Sequence, residues 1–258
     1  MIRGCLCSLR ENQVGEIIVV DGGSSDRTVE ICGQYADRIL RDRGIGLGAA
    51  RNIGLRASSL EFVLFAGPDN SFPGGAVDQM IEHLMSGGYS GVGCCTEVRE
   101  KNYIDRMMNT YKKIRYFPDV RSVIGTPVLF RKQVLEAYGY DDKMGFSDDT
   151  DLCERMSKNS HKFSLCDTVV YEPGSNQWPD IWRRWDMYGK SDYQFYVKYQ
   201  STWNWKRKVE SWLHPFKAEF YRPLGRLARG QKLKVIPFLM LITGMRYVSR
   251  IRSHILSP

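Results

Sequence analysis

The 258-residue chain predicts an α/β fold: a mostly parallel sheet with helices on both faces, and amphipathic helices added at the C-terminal end. Three observations predict it. EIIVVD at 16–21 and the run opening EFVLFA at 61 are short, continuous apolar stretches, the kind a strand buried on both faces requires. Each ends in a turn rich in Gly, Ser, Pro or Asp. Strand, turn and helical patterns then alternate, as in successive βαβ units.

The elements follow in order. After EIIVVD, GGSSDRT is a turn in which Ser24, Ser25 or Asp26 can cap the helix TVEICGQYA. A short strand near Arg38 to Leu40 leads to GIGLGAARNIGLRAS, opened by glycine and then helical. EFVLFAGPDN is a strand that stops at a Gly-Pro turn carrying Asp69 and Asn70. A helix from Pro73 to about Met85 precedes the strand SGVGCCTEV, and residues 102–117 have helical spacing of aromatic and Met side chains. GTPVLFRKQVLEAYGYDD gives a strand and a helix. In SDDTDLCERM, Ser147 and Asp148 precede a helical stretch, and FSLCDTVVYEP returns as a strand. From Ser175 the character changes, with all six Trp in the last third.

Charge divides the chain. Residues 202–258 hold 12 Lys or Arg against 2 Asp or Glu, whereas the remaining 201 hold 25 against 27. The excess positive charge therefore lies in the tail and suits an anionic surface there. A nucleic-acid binder is not expected, because the body is acidic and no recognition module is present. The seven Cys form no C-x-x-C pair, and no N-terminal apolar signal is seen, so structural thiols in a reducing cytosol are expected.

In open α/β sheets ligands bind beyond the carboxyl ends of the strands. Asp21 in DGGSSD and Asp69 in GPDN stand at two such ends, which makes them the first candidate site residues.

IIVVDGGSSDRT, GLGAARNIGL, the strand ending in GPDN, GTPVLFRKQVL and FSDDTDLCERM resemble, in order and rough spacing, glycosyltransferase family 2 over about residues 5–190. The resemblance implies a GT-A, Rossmann-like fold, a nucleotide-diphosphate sugar donor, UDP- or GDP-linked, and direct displacement with inversion at the sugar carbon. It implies that Asp21 reads the nucleotide base, with Gly23 and Ser24 beside it, and that Arg51 with Asn52 faces the nucleotide. Asp21 also reads simply as a turn or capping residue, and Arg51 as a surface helix Arg. The family usually carries D-x-D where this chain has Gly67-Pro68-Asp69, so Asp69 alone is left to bind Mg²⁺ or Mn²⁺. One carboxylate is enough when phosphate oxygens and water complete the shell.

By the same register Asp149 is the general base that takes the acceptor hydroxyl's proton, and Asp148 stands where Glu is more usual. Acids in the first turn also complement a helix dipole. QWPDIWRRWD echoes a family segment that closes over the diphosphate, so Arg183 or Arg184 could neutralise the leaving group. MIRGCLCSLRENQ resembles the family's first helix. The chain is therefore expected to begin after a central strand, which would leave two facing rows of unpaired backbone groups.

The domain organisation expected is 1–200 as the transferase domain and 201–258 as a basic, Trp-containing, membrane-associated helical tail. The apolar run from Val235 to Ile242 continues weakly to Val248 and is interrupted by Arg246. That is too short to span a bilayer, so an interfacial helix on anionic lipid is expected. Packing of this helix as core is the other reading. The expected location is the cytoplasm, peripherally on the inner face of the membrane. The expected acceptor is a hydroxyl of a polysaccharide precursor, glycolipid or lipid-linked oligosaccharide. A non-catalytic family member that binds nucleotide sugar or acts as a scaffold is the alternative. A nucleotidyltransferase would need a Gly-rich basic loop after the first strand, and none is present.

Overall fold

The computed structural model describes residues 1–258 apart from 43, 45, 116–118, 121, 145–146, 175, 228 and 257–258. They form two compact units, Met1–Arg99 with Tyr116–Pro173, and Glu100–Arg115 with Gly174–Pro258.

The first unit runs α1 (Ile2–Glu11), β1 (Ile18–Asp21), α2 (Thr28–Cys32), β2 (Arg38–Arg41), α3 (Leu47–Ala57), β3 (Phe62–Phe65), α4 (Ala76–Ser86) and β4 (Gly91–Val98). After α5 (Tyr103–Arg115), a part of the second unit, follow β5 (Asp119–Val120), β6 (Val128–Arg131), α6 (Lys132–Tyr138), α7 (Asp148–Ser157) and β7 (Phe163–Glu172). The helix expected over 102–117 is α5; residues 116–117 lie outside the described residues.

Strand alternation sorts the helices onto two faces. On β3, Val63 and Phe65 pack with Leu55 of α3, Leu135 of α6 and Leu152 of α7. Phe62 and Leu64 instead pack with Met80 and Leu84 of α4. Neighbouring β6 divides likewise, with Val128 and Phe130 in the first cluster and Leu129 in the second. Both faces are thus covered, which is why these strands read as unbroken apolar runs.

The α/β class holds, but the sheet is mixed rather than mostly parallel. β1 pairs β2 in parallel, and β4 pairs β7 in parallel. In the five-stranded sheet, ordered β3-β6-β4-β7-β5, β6 runs antiparallel to both its neighbours and β5 antiparallel to β7. An antiparallel strand buried on both faces has the same apolar run as a parallel one, so composition does not reveal direction. Among the described residues β1 pairs only with β2 and β3 only with β6. Helix α1 ties the two sheets: Cys5, Leu6 and Leu9 pack in one cluster with Val19 of β1 and Leu64 of β3. All seven cysteines are free thiols, and burial pushes Cys5 and Cys153 up to about 12.

The second unit joins α5 to α8 (Trp178–Tyr199), α9 (Trp205–Phe216), a π-helical turn (Lys217–Tyr221), α10 (Arg222–Arg226) and α11 (Arg229–Leu256). Its division from the first unit falls at Gly174 and takes in α5, so it differs from the compositional boundary at 200. The reason is packing: α8 extends to Tyr199, and its fully buried Ile181 and Trp185 form core with α11, the Trp185 ring 6.3 Å from that of Phe238. Glu219, wholly buried, accepts from Tyr111 of α5 and from Arg246 of α11. No helix among the described residues is long and apolar enough to cross a membrane.

Candidate active site

Asp21 closes β1 and is buried. Its carboxylate accepts from the backbone N–H of Gly23 at 3.0 Å and of Ser24 at 3.2 Å, so the DGGS turn is folded around it. Hydrogen bonding from Ser24 holds this carboxyl below its usual value, against burial, with help from the Gly23 N–H and nearby Arg41. Gly23, at φ 99°, takes the left-handed conformation that spares a side chain there.

Arg51 and Asn52 lie side by side on α3, both buried, and both turn to the loop and helix that follow α6. Arg51 Nη1 donates to Asp148 Oδ2 at 2.6 Å. Its guanidinium lies 5.9 Å from the ring centre of Phe65 and 5.2 Å from that of Tyr140. Asn52 exchanges hydrogen bonds with the Tyr140 backbone at 2.8 and 2.9 Å and donates to Asp142 at 2.6 Å. Arg51 is thus neither exposed nor free; it is one half of a buried ion pair. Burial raises the Asp148 carboxyl above its usual value while Arg51 pulls it back. The approach of α3 to this region needs Gly48, where a Cβ would stand 2.8 Å from the Asp141 carbonyl and 3.3 Å from Asp148 Cβ.

Asp149 follows in the first turn of α7. Its Oδ2 accepts from Gly125 N–H at 2.7 Å and its Oδ1 from Thr150 N–H at 2.6 Å. Gly125 opens the loop Gly125-Thr126-Pro127, whose Thr126–Pro127 bond is cis. Phe146, quoted in the motif around these acids, lies outside the described residues.

Thr126 connects that loop to the turn after β3. A Cβ placed on Gly67 would lie 2.7 Å from Asp69 Oδ1, 2.8 Å from Thr126 Oγ1 and 3.2 Å from Asn70 Oδ1. Three side-chain oxygens thus crowd over one glycine where the family pattern has its first Asp, and a larger residue there would have to displace them. Buried Asn70 fixes the turn by accepting from Gly67 N–H at 2.7 Å. These oxygens are hard donors, of the type a divalent cation prefers. Among the described residues no three His, Cys, Asp or Glu cluster as a metal cage. Asp69 with these neighbouring oxygens would suit a cation whose other ligands are phosphate oxygens and water.

Sequence reasoning missed Gly48, the loop at Gly125 and Tyr140. The Tyr140 hydroxyl is buried and has no hydrogen-bond partner among the described residues, and burial raises its pKa well above the usual phenol value. Only the aromatic in YGYDD signalled it. Arg183 and Arg184 lie on α8 of the second unit, Arg183 exposed and 3.8 Å from Asp180.

The sequence matches the family described as Glycosyl transferase family 2 over residues 1–139, more than half its length. The chain belongs to this family. EpsH of Bacillus subtilis (strain 168), which its name assigns to the glycosyltransferases, is 28% identical over 157 residues, 53% of this chain and 45% of that protein. The match thus spans less than half of the relative's length. Among solved structures, the mannosyltransferase PcManGT from Pyrobaculum calidifontis, in complex with GDP-Man and Mn²⁺, has a TM-score of 0.64 at 14% identity, over 96% of this chain and 81% of that one. S. aureus TarS 1–349 in complex with UDP has a TM-score of 0.53 at 14% identity, over 99% and 88%. These likenesses show the fold, a GT-A-like mixed α/β architecture.

Proposed function

We propose that the chain transfers a sugar from a UDP- or GDP-linked donor to a hydroxyl acceptor, with inversion at the anomeric carbon. The observation that carries this reading is the link from Asp149 through the Gly125-Thr126-Pro127 loop to the Asp69 turn. Each Asp149 oxygen accepts one backbone hydrogen bond, and a carboxylate has lone pairs to spare, so the group is oriented yet able to take a proton. The acceptor oxygen bonds to the anomeric carbon as the bond from that carbon to the diphosphate breaks. The hydroxyl proton passes to Asp149, and the nucleoside diphosphate leaves.

Asp69, with Thr126 and Asn70 beside it, would hold Mg²⁺ or Mn²⁺. When bound, such a cation neutralises charge on the departing diphosphate. Asp21, Gly23 and Ser24 are assigned to the nucleotide. Arg51 and Asn52 act in this reading by holding Asp148 and the Tyr140 loop. Solved relatives of the fold carry GDP-Man with Mn²⁺, UDP and UDP-GlcNAc, which supports a nucleotide-sugar donor here. The acceptor proposed is a hydroxyl of a polysaccharide precursor, glycolipid or lipid-linked oligosaccharide, met at the cytoplasmic face of a membrane to which the basic tail binds.

Calorimetry with UDP- and GDP-sugars, with and without Mn²⁺, tests the proposal. One donor should bind in a metal-dependent way, lose binding in Asp69→Ala and keep it in Asp149→Asn. Asp149→Asn should slow transfer by about 10²–10⁴-fold. Failure of every donor to bind would favour a scaffold role instead.

A further inference from the structure

Helix α11 presents a continuous apolar face to the outside, and we propose that this face is the surface by which the chain lies on an anionic lipid bilayer. The proposal rests on the membrane reading above and makes it specific. Between Lys234 and Arg252 the sequence holds two charged residues, Arg246 and Arg250. Both turn inward. Arg246 donates to Asp192 at 2.7 and 2.8 Å and to Glu219, and Arg250 donates to the Ser211 carbonyl and hydroxyl and stacks 4.4 Å from the Trp212 ring centre.

With the two cations internal, the outer face carries no charge across that span. Met240, Leu241, Val248, Ile251 and Ile255 are 60, 42, 41, 45 and 73% exposed and recur at helical spacing. The stripe runs about 22 Å along the axis at 1.5 Å per residue, with exposed Arg252 near its C-terminal end. Trp182 of α8 extends it sideways, lining a shallow groove with Pro237 and Gly244. The opposite face, Val235, Leu239 and Ile242, is core. The buried face fits the reading of this helix as core, and the outer face is the one assigned here to lipid. The Arg246 ion pairs and the Arg250 bonds set its roll, so the stripe belongs to the folded unit.

Charge selects the occupant. The second unit holds 21 Lys or Arg against 7 Asp or Glu. A second copy would bring the same sign against itself, whereas anionic lipid complements it. An in-plane helix with an apolar face and a basic surround is the arrangement that binds such a surface.

Flotation of the full chain with phosphatidylcholine vesicles, with and without phosphatidylglycerol and in the absence of nucleotide, tests this. Binding should require phosphatidylglycerol. It should fall about tenfold or more in Leu241→Asp/Val248→Asp and in Ile255→Asp, with melting temperature unchanged. Ile255 is exposed enough for its variant to decide the matter if the double variant misfolds. Equal flotation of wild type and variants would overturn the docking face while leaving tail-mediated membrane binding intact. No flotation of the wild type would overturn both. A dimer in light scattering that the variants dissolve, with no flotation, would make the face an interface between copies. None of these outcomes depends on donor binding.

Discussion

Arg51 of α3 and Asp148 of α7 form a buried ion pair at 2.6 Å, 97 positions apart in the chain. The pair fastens the helix that starts with Asp148 and Asp149 onto the helix that follows β2. Phe65 and Tyr140 shield the guanidinium, so the pair sits in low-dielectric surroundings where an unmatched charge is costly.

Removing one partner should therefore hurt more than removing both. Arg51→Met leaves the Asp148 carboxylate buried and unpaired, at an expected cost of about 3–5 kcal/mol. Arg51→Met/Asp148→Leu should regain most of that loss. Urea denaturation of the three proteins measures it. A single-variant effect within about 0.5 kcal/mol, typical of surface substitutions, would refute the buried-pair account.

Asp21 makes a prediction in pH. Its carboxyl is held below the ordinary value of 3.8, chiefly by hydrogen bonding from Ser24. A lowered folded-state pKa contributes stability that is complete above the unfolded value and is lost as pH falls through the folded value. The stability advantage of wild type over Asp21→Asn should thus be constant from about pH 5 to 8 and shrink below about pH 4. Denaturation across that range is the measurement. An advantage that grows on acidification would reverse the sign and remove Asp21 as the anchor of its turn.

How much of this was legible in the sequence varies by residue. β1 and β3 were, because Ile, Val, Leu and Phe in unbroken runs have few other uses. The place of Asp21 was, because a strand end followed by Gly-Gly-Ser admits little but a turn. The direction of β6 was not, since VLF reads alike in either sense. The resemblance places Arg51 toward the nucleotide, and the structure pairs it with Asp148; nothing local in AARN specifies a partner so far along the chain. In the sequence Arg246 is only a break in an apolar segment. Its burial depends on Asp192 and Glu219, which no window around α11 contains.

The crossing of α8 and α11 yields the sharpest contrast between sequence and structure. Gly189 and Gly244 are both helix-interior glycines of the second unit, and helix propensity alone favours alanine over glycine by about 1 kcal/mol at each. Their surroundings differ. A Cβ on Gly189 would stand 2.4 Å from the Arg246 carbonyl oxygen, 2.6 Å from Ser249 Cβ and 2.8 Å from Arg250 N, whereas one on Gly244 meets nothing within 4 Å. Two of the three atoms facing Gly189 are backbone and cannot swing aside, so the helices must part. That separation loosens Trp185 on Phe238 and misaligns Arg246 with Asp192. Gly189→Ala should destabilise the protein by about 1–3 kcal/mol despite its better propensity. Gly244→Ala should stabilise it by up to about 1 kcal/mol. Opposite signs in thermal melts of the two variants would establish the close crossing. Equal stabilisation by both would mean that α8 and α11 do not approach through Gly189, and the inward roll assigned to Arg246 would fall with it.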